Sequence, residues 1–298
     1  MTTSQELDRL LERAPEAVPM PQTALQLLKE INKPGSSARD LAAILRRDQA
    51  LSARVLKVAN SAFYGLPRQV ASIDSAVVLL GNKTIRNLAL TASLTGMKVG
   101  EVTGYGLPRG ELFNHSLLVA LAAQELSKQT NRAIPEEAYT VGLLHDIGKL
   151  IIDEQVEAKL AEISEIARNE GIGFAAAEKK LLGMDHGEVG AILAEHWGLP
   201  ELLTVAIKDH HVGPSGNRPQ DTTSLTAVTM VANRVGRELG SGVGANETLG
   251  PGISGEILEV LGLKQEDMEE LQVEVRRNII VVGDLTGTRT RASGGAGD

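Results

Sequence analysis

Apolar residues recur along this chain at intervals of three and four, the period of an amphipathic helix, and long alternating strand runs with tight Asn-Gly hairpins are absent. In "PQTALQLLKEI", Leu25, Leu28 and Ile31 share one face, and Pro21 suits a first helical turn. Thr3 with Glu6 has capping-box spacing ahead of "LDRLLERA", and Ser37 with Asp40 gives a cap signal ahead of "LAAILRR". Leu51, Val55 and Val58 keep helical register through "DQALSARVLKVANSA". "SIDSAVVLLG" ends on Gly81 as a C′ glycine, and "KTIRNLALTASL" closes the first third. Further helices are predicted over about 111–129, 136–152, 155–170, 174–182, 186–197, 200–211, 223–239 and 265–281.

Two stretches interrupt this pattern. "KVGEVTGYGLPRG", residues 98–110, holds four glycines and a proline and marks the best internal boundary. It divides the chain into helical subdomains of 1–104 and 105–284, followed by a polar tail, 285–298, expected to be disordered. Residues 240–255 carry six glycines and read as a mobile surface loop, since no strand–helix context supports a phosphate-binding one.

Composition narrows the class. Hydrophobic residues make up 42% of the 298 positions, enough for a substantial core, whereas aromatics are only 2%. There is no cysteine, which excludes disulfides and thiolate metal sites and fits a reducing cytoplasm. The N-terminus lacks the pattern of a signal peptide, and no apolar run reaches the roughly 18 residues of a membrane span, so a cytoplasmic, membrane-free protein is expected. A formal net charge of −8 argues against general nucleic-acid binding.

The histidines change the picture most. All six lie between positions 115 and 211. His115 shares a helical face with Leu118, Val119 and Ala122; His145 with Val141 and Gly148; His186 with Val189, Gly190 and Leu193; His210 with Leu203, Ala206 and Ile207. Asp185 and Glu188 look like a cap pair around His186, and His196 falls on another, exposed face. Beside His145 stands Asp146, in a run of Leu143, Leu144, Ile147, Leu150, Ile151 and Ile152. A carboxylate in such surroundings costs several kcal/mol unless something pairs with it. A divalent cation would supply that partner and collect the imidazoles; nitrogen and oxygen donors without sulfur suit Mn, Fe, Ni or Zn.

The order His115, His145-Asp146 with Gly148-Lys149, His186 and His210-His211 resembles the HD phosphohydrolase superfamily. "VPMPQTALQLL", "DQALSARVLKVANSAFYG", "ASIDSAVVLLG", "TIRNLAL", "GMDHGEVGAILAEHWGLPE" and "AIKDHH" narrow the resemblance to its HDOD (HD-related output domain) family, over roughly residues 10–240. The resemblance implies an all-α fold, with an N-terminal helical subdomain packed on an HD-type helical bundle, and a bacterial signalling role. It implies a metal set of His115, His145, Asp146, His186, His210, His211 and Asn233, with Lys149 assisting catalysis if the protein is active. Asn233 stands where the superfamily has its last aspartate ligand, and "GYGLP" at 104–108 is not the signature of the cyclic-dinucleotide phosphodiesterases. Glu111, one turn before His115, is either an extra ligand or a solvated helix-start residue.

Three functions follow as expectations. The first is a noncatalytic module with a degenerate metal or anion pocket, working by association with other signalling proteins. The second is a metal-dependent phosphohydrolase or phosphodiesterase acting on a nucleotide or cyclic dinucleotide. The third is nucleic-acid binding through residues 36–68, where six basic residues outnumber two acidic ones; two packed helices with solvated arginines are the preferred account of that stretch, because the helical outline is common and the whole chain is acidic.

Overall fold

The computed structural model describes residues 18–31, 37–60, 68–95, 100–214, 218–244 and 249–286, together with Leu11, Ala14, Glu16, Lys33, Gly35 and Leu66. The Thr3–Glu6 cap and residues 287–298 of the tail lie outside that set. The fold is all-α: the described residues hold no strand, only an isolated bridge between Val102 and Leu107. That bridge closes a loop around a short 3₁₀ turn, Thr103–Tyr105.

Four helices with both ends among the described residues precede the loop: α1 (Gln22–Ile31), α2 (Ala38–Arg46), α3 (Gln49–Ala59) and α4 (Ile73–Thr95). The capping box ahead of α2 forms, with Ser37 and Asp40 each bonded to the other's backbone N–H. Gly81 does not end its helix for good. It interrupts α4 with φ 79° and ψ 167°, and the helix resumes at once. α2 and α3 bury Leu41, Leu45, Leu51 and Val55 against α4, whereas Arg46 pairs with Asp74 and Arg54 donates to the Ala92 carbonyl. Two of the six basic side chains of residues 36–68 are therefore spent within the fold.

Nine helices follow: α5 (Glu111–Thr130), α6 (Pro135–Leu144), α7 (Lys149–Glu170), α8 (Phe174–Leu182), α9 (His186–His196), α10 (Glu201–Lys208), α11 (Gln220–Glu238), α12 (Gly255–Leu261) and α13 (Asp267–Thr286). The structure corrects the sequence reading in three places. The predicted helix 136–152 is cut by a turn at residues 145–148, while no break occurs at 153–154; α7 runs on, with a kink at Lys159. Predicted helix 200–211 ends at Lys208, leaving His210 and His211 in the turn beyond it. α12 lies where the sequence suggested only loop.

The buried side chains form two clusters. Leu27, Leu41, Leu45, Leu51, Val55, Ile85 and Leu88 make the first. The second, larger one reaches from Leu90 and Leu94 of α4 to Val275 of α13. α1 and α4 contribute to both, so the N-terminal helices are anchored on the bundle. A buried hydrogen bond of 2.5 Å between the hydroxyls of Thr91 and Tyr139 fastens α4 to α6. Replacing Tyr139 by Phe is expected to lower stability by about 1 kcal/mol, read as a fall in the denaturation midpoint.

Candidate metal centre

Four chain segments meet around Asp146. α5 brings His115; the α6–α7 turn brings His145 and Asp146, with Lys149 one turn on; α9 begins with His186; and the turn after α10 carries His210 and His211. The close approach of α7 to α9 rests on Gly148. A Cβ there would lie 2.0 Å from the His186 carbonyl oxygen and 2.6 Å from the Gly190 nitrogen. His186 is placed by the Asp185–Glu188 capping box, which forms as expected.

Asp146 is 1% exposed. Its Oδ2 lies 3.0 Å from Lys149 Nζ, 3.4 Å from His145 Nε2 and 3.6 Å from His115 Nε2. Its Oδ1 lies 3.2 Å from His186 Nε2 and 3.6 Å from His210 Nε2. Asn233 Oδ1 is 3.0 Å from His115 Nε2, and the Nε2 atoms of His186 and His211 are 2.9 Å apart. Every residue proposed for the centre from sequence is thus drawn into one cluster. The carboxylate's partner includes a cation of the chain itself, since Lys149 is buried against it.

The back hydrogen bonds fix how the rings are presented. His145 Nδ1–H donates to the Gly142 carbonyl at 2.8 Å and His210 Nδ1–H to the Ile207 carbonyl at 2.6 Å. A carbonyl only accepts, so in the neutral ring the lone pair sits on Nε2, turned toward Asp146. Neither Nε2 has a hydrogen-bond partner. Burial pushes His210 down to about 4 and holds His115 and His211 well below the usual imidazole range, so all three are neutral at pH 7. Burial would raise Asp146, but His145, Lys149 and the His186 Nε2–H keep it well below the ordinary carboxylate range.

Glu178 was not singled out from sequence. It is fully buried, and its Oε2 accepts from both the backbone N–H of His186, at 3.1 Å, and its Nδ1–H, at 2.8 Å. Burial alone would lower His186, but the charge of Glu178 and the bonds to Asp146 and Glu178 raise it to about 10. Burial likewise would raise Glu178, yet His186 and the Tyr105 hydroxyl hold it low. Tyr105 stands behind the centre, edge-on to the His186 ring, with Lys149 Nζ 4.9 Å from its own ring centroid.

Two expectations change here. Glu111 is half-buried and accepts from Gly242 N–H at 3.2 Å, so it ties down a loop and does not reach the cluster. The glycine-rich stretch is not all mobile surface. Gly242 (φ +68°) packs against the His115 ring, where a Cβ would come within 2.2 Å. Residues 249–253 wall a cleft of about 350 Å³. His210, His211 and Asn233 are among its lining residues, with Phe174, Met230 and Ile253. Three carbonyls of that wall, at Leu249, Gly250 and Pro251, accept from one guanidinium nitrogen of Arg234.

An all-helical core that gathers five histidines and an aspartate from four chain segments is the arrangement of an HD-type protein. Residues 18–212 match the HDOD domain, and the chain belongs to the HDOD family. It is similar to an HDOD domain protein of unknown function from Geobacter sulfurreducens, at 26% identity and TM-score 0.73, covering 95% of this chain and 98% of that one. A protein from Shewanella amazonensis SB2B whose name proposes a phosphohydrolase is 30% identical, with TM-score 0.68 and coverage of 94% and 97%. An uncharacterized protein from Treponema pallidum is 27% identical over 75% of this chain but only 43% of its own length. The chain thus spans less than half the length of the curated relatives it matches. No helix among the described residues is long and apolar enough to cross a membrane.

Proposed function

We propose that this chain is a noncatalytic signalling module of the bacterial cytoplasm, built around a buried divalent-metal centre of the Fe, Mn, Ni or Zn class. One observation carries the centre. The Nε2 atoms of His145 and His210, both buried and without a hydrogen-bond partner, face the acceptor-only carboxylate of Asp146 at 3.4 and 3.6 Å. Buried lone pairs aimed at one another are stable only with a cation between them. His115, His145, Asp146, His186, His210 and His211 would hold it, joined by the amide oxygen of Asn233. A bound divalent ion supplies positive charge and Lewis acidity. Glu178 and the Gly142 and Ile207 carbonyls orient the rings.

The noncatalytic reading rests on Asn233, whose amide oxygen brings no charge where a second carboxylate would. It also rests on Lys149, which is already held by Asp146. The module's output then passes to other signalling proteins by association. The alternative, a phosphohydrolase acting on a nucleotide or cyclic dinucleotide, is favoured by the cleft that opens onto His210, His211 and Asn233. Metal-loaded protein incubated with a panel of nucleotides and cyclic dinucleotides separates the two. No turnover above the His145→Ala/Asp146→Ala double variant is expected; turnover at enzymatic rates, lost in that variant, establishes the alternative.

Glu178→Gln tests how the centre is oriented. The amide removes the charge behind His186, and metal affinity should fall by about 10–100-fold, as measured by competition with a chelating dye. Unchanged affinity would show that Glu178 serves only the packing of α8 on α9.

A further inference from the structure

The cluster has two faces that share one carboxylate. His186, His210 and His211 gather on the Oδ1 side of Asp146; His115 and His145 gather on the Oδ2 side, next to Asn233. We infer that these are two unequal metal positions, and that Lys149 and Asn233 suppress the second, so that the resting protein holds a single ion on the Oδ1 side. This rests on the metal centre proposed above and concerns how many ions it takes, and where.

Four observations separate the two faces. The Oδ1 side offers three imidazoles and a carboxylate oxygen whose nearest neighbour, at 3.2 Å, is itself one of those imidazoles, His186. The Oδ2 side offers two imidazoles, a neutral amide and an oxygen already 3.0 Å from an ammonium. That ammonium is held from behind by the Tyr105 ring, on a side chain 1% exposed, so it does not move aside freely. A divalent ion on that side would lie beside it, like charge against like charge at low dielectric.

Access points the same way. His210 and His211 line the cleft of about 350 Å³; on the Oδ2 side only the amide Asn233 reaches it, and His115 and His145 do not. Gly242 closes over the His115 ring, and Glu111 fastens that residue's backbone. The Oδ2 position is therefore poor in negative charge, occupied in part by an internal cation, and reached from the cleft only past Asn233. A cluster with a carboxylate at 233 and no lysine against Asp146 would have neither handicap.

Cobalt(II) is the probe, added to the full chain and followed by equilibrium dialysis with metal analysis and by chelator competition. Wild type should keep one ion per chain, with a second bound about 10-fold or more weakly. Asn233→Asp, which is nearly isosteric, should raise the count to two, and Lys149→Met should strengthen the second ion. His115→Ala should leave the tight ion in place, and His210→Ala should lose it, with circular dichroism confirming that each variant is folded. Two ions of equal affinity in wild type overturn the inference and leave the centre standing. So does a tight ion that survives His210→Ala but not His115→Ala, or a count that stays at one in Asn233→Asp. Failure of wild type to retain any ion overturns the centre itself, and the inference with it.

Discussion

Asp146→Ala is expected to lose all divalent-ion retention and to be destabilised by about 3–5 kcal/mol, the cost of leaving a buried charge without its partner. The charge that loses its carboxylate is Lys149, 1% exposed and packed against the Tyr105 ring. The loss has a second part. Without the carboxylate, His145 and His210 keep their back bonds to Gly142 and Ile207 but face one another across an emptied site. Denaturant titration gives the stability change, and metal analysis after dialysis gives the retention. If Asp146→Ala unfolds at the same denaturant concentration as the parent, the pairing with Lys149 contributes nothing, and the electrostatic account of the core fails. Lys149→Met provides the complement. It should be less stable than wild type without metal and recover part of the difference when metal is added, because the ion replaces the missing positive charge.

The second large effect lies at a residue that touches no ion. Gly148→Ala places a methyl group 2.0 Å from the His186 carbonyl oxygen and 2.6 Å from Gly190 N, both backbone atoms that no rotamer change can move. α7 and α9 must separate to accept it. A cost of about 3 kcal/mol or more is expected, at or beyond the upper end of ordinary overpacking. The same shift pulls His145 and Asp146 away from His186, so metal retention should fall together with the melting temperature. Gly252→Ala is the control: a Cβ there meets nothing within 4 Å. If Gly148→Ala melts like the control and keeps its ion, the tight α7–α9 junction is not what aligns the centre.

Much of this architecture was legible in the spacing of apolar residues and caps. α8 runs over Phe174–Leu182 as the periodicity requires, and the Asp185–Glu188 pair caps α9. The clustering of histidines on core-facing stripes also pointed to one shared site. What hid the α6–α7 turn was continuity: Val141, Leu144, Ile147 and Ile151 keep helical spacing straight through it. Only Gly148 hinted that two backbones meet there, and a lone glycine inside a helical run is weak evidence. Glu178 was hidden by its neighbours. In "FAAAEKKLL" it sits beside Lys179 and Lys180 and resembles one more solvated charge; only its register with Phe174 and Leu182 assigns it to the inner face. The glycines at 240–244 read as freedom, whereas Gly242 and Gly244 supply thinness, lying against the His115 ring and the Tyr105 carbonyl. Composition cannot distinguish a glycine needed for motion from one needed for contact.

The helix that opens on His186 is followed directly by Trp197, its C-cap, 6% exposed and the chain's one tryptophan. All indole fluorescence of the molecule therefore originates at a single location, joined by one rigid rod to an imidazole of the cluster. Loosening of that rod on ion removal, ligand entry or partner docking would reach the emission spectrum with no background from other indoles. The native chain thus carries its own optical gauge, and no label need be introduced.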